Sequence, residues 1–188
     1  YWTMNGTNIS NSNAGNVGIG TTNPTNKLSI NGSILNFNST VYTRHYRDVA
    51  FYEFNNTTVT GTMKITMPKL WSSTMLSITI KGYDYSSIGA WEVVIGAYNY
   101  SGASWVNATA EIKGKAPFNS VRLASDGTKN VILLGSTSTT WNYPKIIVTD
   151  VITGYSSIDD WGDGWSITPI TDETGIINSI TPTVPYYL

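Results

Sequence analysis

From Ala50 onward apolar residues recur at every second position, and this alternation constrains the fold more than any other feature of the chain. In "TMKITM" Met63, Ile65 and Met67 fall on one side and Thr62, Lys64 and Thr66 on the other; "LSITIK" repeats the pattern with Leu76, Ile78 and Ile80. Successive side chains of an extended strand point to opposite faces, so the spacing predicts half-buried strands. "AWEVVIGAYNY" places Trp91, Val93, Ile95 and Ala97 on one face, "ATAEIK" places Ala108, Ala110 and Ile112, and "SVRLA" places Val121 and Leu123. "NVILLGS" and "PKIIVTDVI" are apolar on both faces, as central strands of a sandwich are. Glycine and β-branched residues interrupt every window in which a helix longer than a turn or two could form.

Turn chemistry separates these runs at Asn55-Asn56, Pro68, Ser86-Ser87, Ser101-Gly102, Lys115 to Pro117, Asp126-Gly127, Asn142 to Pro144 and Asp163-Gly164. Eight or nine strands at that spacing predict an all-β chain whose main body is an antiparallel, jelly-roll-like β-sandwich. The plainest hairpin is "SDGTKN", because Asp-Gly favours a tight turn with positive φ.

The amino-terminal part has a different character. Residues 1 to 40 carry one charged side chain, Lys27, whereas Thr43 to Glu53 contains Arg44, Arg47, Asp48 and Glu53. We therefore expect an Asn/Gly/Thr-rich segment over 1–42 and the sandwich over 43–188. In "GNVGIGTTNPTNKLSINGS", Val17 and Ile19 and then Leu28 and Ile30 alternate with glycine or polar residues around a turn. Four modest apolar side chains cannot make a core, so the segment either packs on partners or is a flexible linker.

Composition narrows the function classes. Ser, Thr, Asn and Gly supply 81 of the 188 residues and charged residues only 12%, so the surface is covered with hydroxyls and amides, as in extracellular β-proteins and fibres. A net charge of −1 gives no electrostatic reason for binding nucleic acid or an anionic membrane. The absence of cysteine removes disulfides, thiolate-held zinc and thiol nucleophiles. No apolar run approaches the roughly 20 residues that span a bilayer, so no membrane insertion is expected. A chain that starts at Tyr1 rather than Met is expected to be a processed product or a fragment.

Catalysis finds little footing. A nucleophilic triad would have to use His45, the single histidine, together with Asp48 or a distant carboxylate, and no G-x-S-x-G elbow or H-E-x-x-H run supports it. Glu53, Glu92 and Glu111 fall opposite the apolar faces of strands, where solvated charges lie, so a pair of carboxylates facing one cleft is not expected. The reading is not an enzyme, with no cofactor and no catalytic residue. "SSIDDWGDGW" crowds Asp159, Asp160 and Asp163 into a glycine-containing loop; its spacing departs from an EF-hand, and exposed acids at a turn are expected there rather than calcium. Its tryptophans are more informative. An indole offers a flat apolar face and neighbouring carboxylates accept hydrogen bonds from sugar hydroxyls, which makes Trp161, Trp165, Asp163 and Asp160 the first candidates for ligand binding. "KGYDYSSIGAW" is a second loop of this kind, with Tyr83 and Tyr85 as candidates. The alternative for each ring is that it closes the end of the sandwich.

"GNVGIGTTNPTNKLSINGS" resembles the short repeat of bacteriophage tail fibres and tailspikes, and of related bacterial surface proteins. "MPKLWSSTMLSITIKGYDYSSIGAWEVVIGAYNY" and "APFNSVRLASDGTKNVILLGSTSTTWNYPKIIVTDVITGY" resemble carboxy-terminal domains of such fibres. The resemblance covers half to two thirds of the chain. It implies a homotrimer in which a short β-stalk buries its apolar side chains between subunits, other virion fibre or baseplate proteins as partners, and a location on the virion, outside the cell. It also implies attachment to a host cell-surface receptor, a glycan or a protein. The alternative function is that of a structural fibre or a bacterial surface filament or adhesin subunit without dedicated receptor binding.

Overall fold

The computed structural model describes residues 2–5, 8–11, 15–37, 40–85 and 89–183; the expected turn at Ser86-Ser87 lies outside them. The chain divides into two compact units, 1–33 and 34–188. In the first, β1 (Trp2–Asn5) pairs antiparallel with β2 (Asn8–Asn11). The two expected short strands, β3 (Val17–Ile19) and β4 (Leu28–Ile30), lie side by side in parallel, Val17 opposite Leu28 and Ile19 opposite Ile30. Parallel pairing ordinarily needs a crossover of a dozen residues. Here strands of three residues let the short connection 20–27 suffice, and Asn16 and Asn31 close it by donating their side-chain amides to Pro24 O and Gly20 O. Ile19 and Leu28 remain 55% and 57% exposed.

The second unit is an antiparallel β-sandwich. Its larger sheet holds β5 (Ile34–Phe37), β6 (Thr43–Glu53), β9 (Thr74–Asp84), β10 (Gly89–Tyr100), β11 (Ser104–Gly114) and β15 (Lys145–Tyr155), in the order β11-β10-β9-β15-β6-β5. Its smaller sheet holds β8 (Thr62–Thr66), β12 (Val121–Ser125), β13 (Asn130–Leu134), β16 (Ser166–Ile170) and β17 (Ile177–Ile180), in the order β16-β8-β13-β12-β17. A ribbon of β7 (Thr58–Thr60) and β14 (Thr140–Asn142) completes it. Twelve strands from Thr43 on among the described residues exceed the expected eight or nine; three of them, β7, β14 and β17, are only three or four residues long. Because β5 pairs with β6, residues 34–37, which precede the expected join at 42/43, form an edge strand of the sandwich.

The inner faces are those that alternation assigned. Leu76, Ile78, Ile80, Val93 and Ile95 of the larger sheet are buried against Met63, Ile65, Leu123, Ile132 and Leu134 of the smaller. The "SDGTKN" hairpin forms: Asp126 Oδ1 accepts from the backbone N–H of Thr128 and Lys129, and Gly127 takes φ +86°. Strand β13 is buried along its whole length, as its apolar run implies. On the outer side, Ala124, Val131 and Leu133 are covered by Ile176 from the segment between β16 and β17. Glu173 in that segment holds Arg122 through two contacts of 2.7 Å.

Strand β15 departs from expectation. It sits mid-sheet, yet one of its faces is open: Ile152 is exposed and Ile147 half-buried. A bulge between Val148 and Asp150 shifts the alternation, so that Val148 and Val151 both reach the core. The larger sheet therefore presents a broad outer face to solvent.

Candidate functional site

On that outer face two rows of side chains follow from register, and a third continues them past the strand ends. Ile147 of β15 lies opposite Phe51 of β6 on one side and Lys81 of β9 on the other; two residues on, Lys145 lies between Glu53 and Tyr83. Beyond the strand ends a third row adds Asn55, Tyr143 and Tyr85, which line one cleft with Tyr83 and Lys145. The first two rows line a cleft of about 600 Å3 and the last two one of about 400 Å3. Tyr83 and Lys145 belong to both, so the clefts adjoin. Phe51 and Tyr85 are 67% and 68% exposed, and Tyr83 and Tyr143 are exposed as well.

The third row is held from below. Asp84, fully buried at the end of β9, accepts the backbone N–H of Asn142 at 2.7 Å, and Tyr85 N–H donates to Asn142 O at 2.8 Å. These bonds dock the 142–144 turn onto β9 and set the Tyr85 ring edge-on to Tyr143, with centroids 5.6 Å apart. Tyr143 takes φ +48°, a conformation costly for a bulky side chain that the surrounding bonds must hold. Gly82 leaves room beneath the site: a Cβ there would lie 2.1 Å from the Trp91 ring.

Charges around the clefts are matched. Lys145 contacts Asn55 Oδ1 and lies 3.7 Å from Glu53, while Lys81 lies 3.6 Å from Glu92, which also faces Lys113 at 3.8 Å. The arrangement supplies flat apolar rings flanked by hydroxyl, amide, carboxylate and ammonium groups in an open groove. Such groups can stack on a flat apolar face and hydrogen-bond hydroxyls.

Of the residues expected at the site, Tyr83 and Tyr85 are brought together here. Trp161 is not available: it is fully buried, its indole N–H donates to Ser157 O at 2.8 Å, and Lys69 Nζ stands 5.9 Å from its ring. It closes the core, and as a binding platform it is withdrawn, since a ring with no exposed surface offers no face to a ligand. Trp165 is half-buried against that core and donates its indole N–H to Trp161 O at 2.7 Å. Asp163 is exposed but lines neither cleft. Asp160 instead borders a separate polar cavity of about 630 Å3 with Tyr42, Arg44, Lys69, Tyr155 and Asp159. Asp159 accepts from Arg44 Nε at 2.8 Å, and among the described residues no group of three or more His, Cys, Asp or Glu stands close enough to hold a metal ion.

His45 points Nε2 at Asp150 Oδ1, 2.8 Å away on the neighbouring strand, with Arg47 at 3.9 Å from the same oxygen. Burial tends to raise the Asp150 pKa, but Thr149, His45 and Arg47 together hold it below the usual carboxylate range. Sequence reasoning passed over Phe51, Lys145, Asn55 and Tyr143. Asn55 and the Asn142–Pro144 run carried a turn signal, but only strand pairing brings Phe51 and Lys81 to either side of Ile147. Comparison with protein families, with curated proteins and with solved structures finds no match to this chain.

Proposed function

We propose that this chain is the attachment segment of a virion fibre or spike, and that its sandwich head holds a host cell-surface glycan in the Tyr83–Tyr85–Tyr143 cleft. The observation that carries the reading is the cleft itself. Exposed aromatic rings are fixed by a buried carboxylate and ringed by polar groups, on a sheet face that the chain leaves open. The resemblance of residues 15–33 to phage fibre repeats supplies the fibre. The exposed Ile19, Leu28 and Ile30 supply a reason for assembly: side chains that one subunit leaves in water are covered when three subunits meet around an axis. Three copies of a weak sugar site gain avidity from their high effective concentration.

A binding role rather than a catalytic one is supported by the engagement of the carboxylates. Glu92, Asp126, Asp150 and Glu173 each face a lysine or arginine within 4 Å. The second reading is a structural filament subunit, favoured by the same exposed apolar residues of the first unit, which assembly of identical chains would cover.

The test is attachment of the full chain to host cells and to a glycan array, with Tyr85→Ala beside the unmodified protein. Specific glycan binding that falls about tenfold or more in the variant, at unchanged melting temperature, supports the reading. Absence of glycan binding together with filament formation supports the second.

A further inference from the structure

The geometry points to an extended, uncharged oligosaccharide, bound along the strands, as the ligand class of this cleft. We infer this on the strength of the attachment reading above, from the repeat built into the outer face. Each row pairs at least one ring with groups that bond hydroxyls. The first has Phe51 with Lys81; the second has Tyr83 with Lys145 and Glu53; the third has Tyr85 and Tyr143 with Asn55.

Rows two residues apart on a strand are separated by roughly 7 Å, and neighbouring strands by about 4.8 Å. Phe51 and Tyr85 occupy opposite corners, two strands and two rows apart, so their backbones stand on the order of 16 Å from one another. One sugar ring cannot touch both. A chain of sugars running from the third row to the first places a ring in each, and the two adjoining clefts form a continuous track for it. The shared residues Tyr83 and Lys145 mark its middle.

Charge chooses between neutral and acidic chains. Each ammonium on the track already faces a carboxylate, Lys145 with Glu53 and Lys81 with Glu92. An acidic sugar entering this surface would have to displace those carboxylates and would gain little net attraction. A neutral chain uses the same groups as donors and acceptors and leaves the pairs intact. Isoleucine at the centre of the first row gives the track an apolar floor between Phe51 and Lys81.

The experiment uses the full chain on an array of neutral and of sialylated or uronic-acid glycans, each graded from monosaccharide to hexasaccharide. Titration of the best series with Phe51→Ala and Tyr85→Ala then follows. Binding should strengthen from one to several sugar units and be insensitive to salt. Phe51→Ala should weaken the longer glycans by about tenfold while leaving the shortest unchanged, and Tyr85→Ala should weaken all of them. Both side chains are exposed, so both variants should melt as the unmodified protein does.

If Phe51→Ala leaves the longer glycans unaffected while Tyr85→Ala still abolishes binding, the extended track is wrong and attachment at the cleft stands. Preference for acidic glycans with a steep loss in salt overturns neutrality alone. If no glycan binds the unmodified chain, the attachment reading and this one fall together.

Discussion

Replacing Trp161 with Ala separates packing from binding. The indole is fully buried, contributes to the same core as Tyr46 and Met67, and bonds Ser157 O. Truncating a buried aromatic costs about 3 to 5 kcal/mol through lost transfer energy and the cavity left behind. For a domain of this size each kcal/mol moves the melting temperature by roughly 2 to 4 °C, so a fall on the order of 10 °C is expected. The effect should stay near the lower end if Lys69, whose ammonium caps the ring, folds its stem into the space. Tyr85→Ala removes a ring that is mostly in water and should shift melting by little more than a degree or two. Calorimetry on both variants, with cell attachment measured well below either melting point, gives the comparison. Trp161→Ala should attach normally while folded and Tyr85→Ala should not. A Trp161→Ala protein that melts like the unmodified chain but no longer attaches would refute the placement of this residue in the core.

Other perturbations follow from the same geometry. Gly82→Ala should destabilise the head by about 1 to 3 kcal/mol in chemical denaturation, because its methyl group would overlap the Trp91 ring. Acid should weaken the sandwich through Glu173 and Asp126. Arg122 holds the Glu173 carboxyl below its usual range against opposing burial, with Thr62 helping; burial pushes Asp126 up, but Lys64, Lys129 and Thr128 outweigh it and hold it well below. Depressed folded-state values mean that this stability is present above about pH 4, where the unfolded groups titrate, and is lost as pH falls further; Glu173→Gln should lower stability at pH 7 and flatten its decline between pH 4 and 2, as followed by denaturant melts. On the stalk proposal, Asp substituted at Ile19 and Ile30 together should turn a trimer into monomers, read by native mass, since charges buried without partners cost several kcal/mol each; a monomeric unmodified chain would remove that proposal.

Period-two alternation determined the strands and their faces from the sequence alone, because each strand's inward set is decided by its own neighbours one and two positions away. Hence Met63, Ile65, Leu76, Ile78, Val93 and Ile95 were legible as core, and Asp126-Gly127 as a hairpin, before any pairing was known. The polar surroundings of Tyr83 and Tyr85 left exposure and core closure both open, and the structure exposes the two rings. Trp161 was not legible as buried: a tryptophan among glycines and aspartates reads as a loop residue, and only the fold of residues 156–165 back onto Lys69 and Tyr46 puts it beneath the surface. The register between β6, β15 and β9 was decided by tertiary structure alone. It joins residues about 60 to 110 positions apart, and no local pattern carries information about which strand meets which. Phe51 and Lys81 belong to one cleft because both pair with Ile147, while the bulge after Val148 lets both halves of that strand face one core.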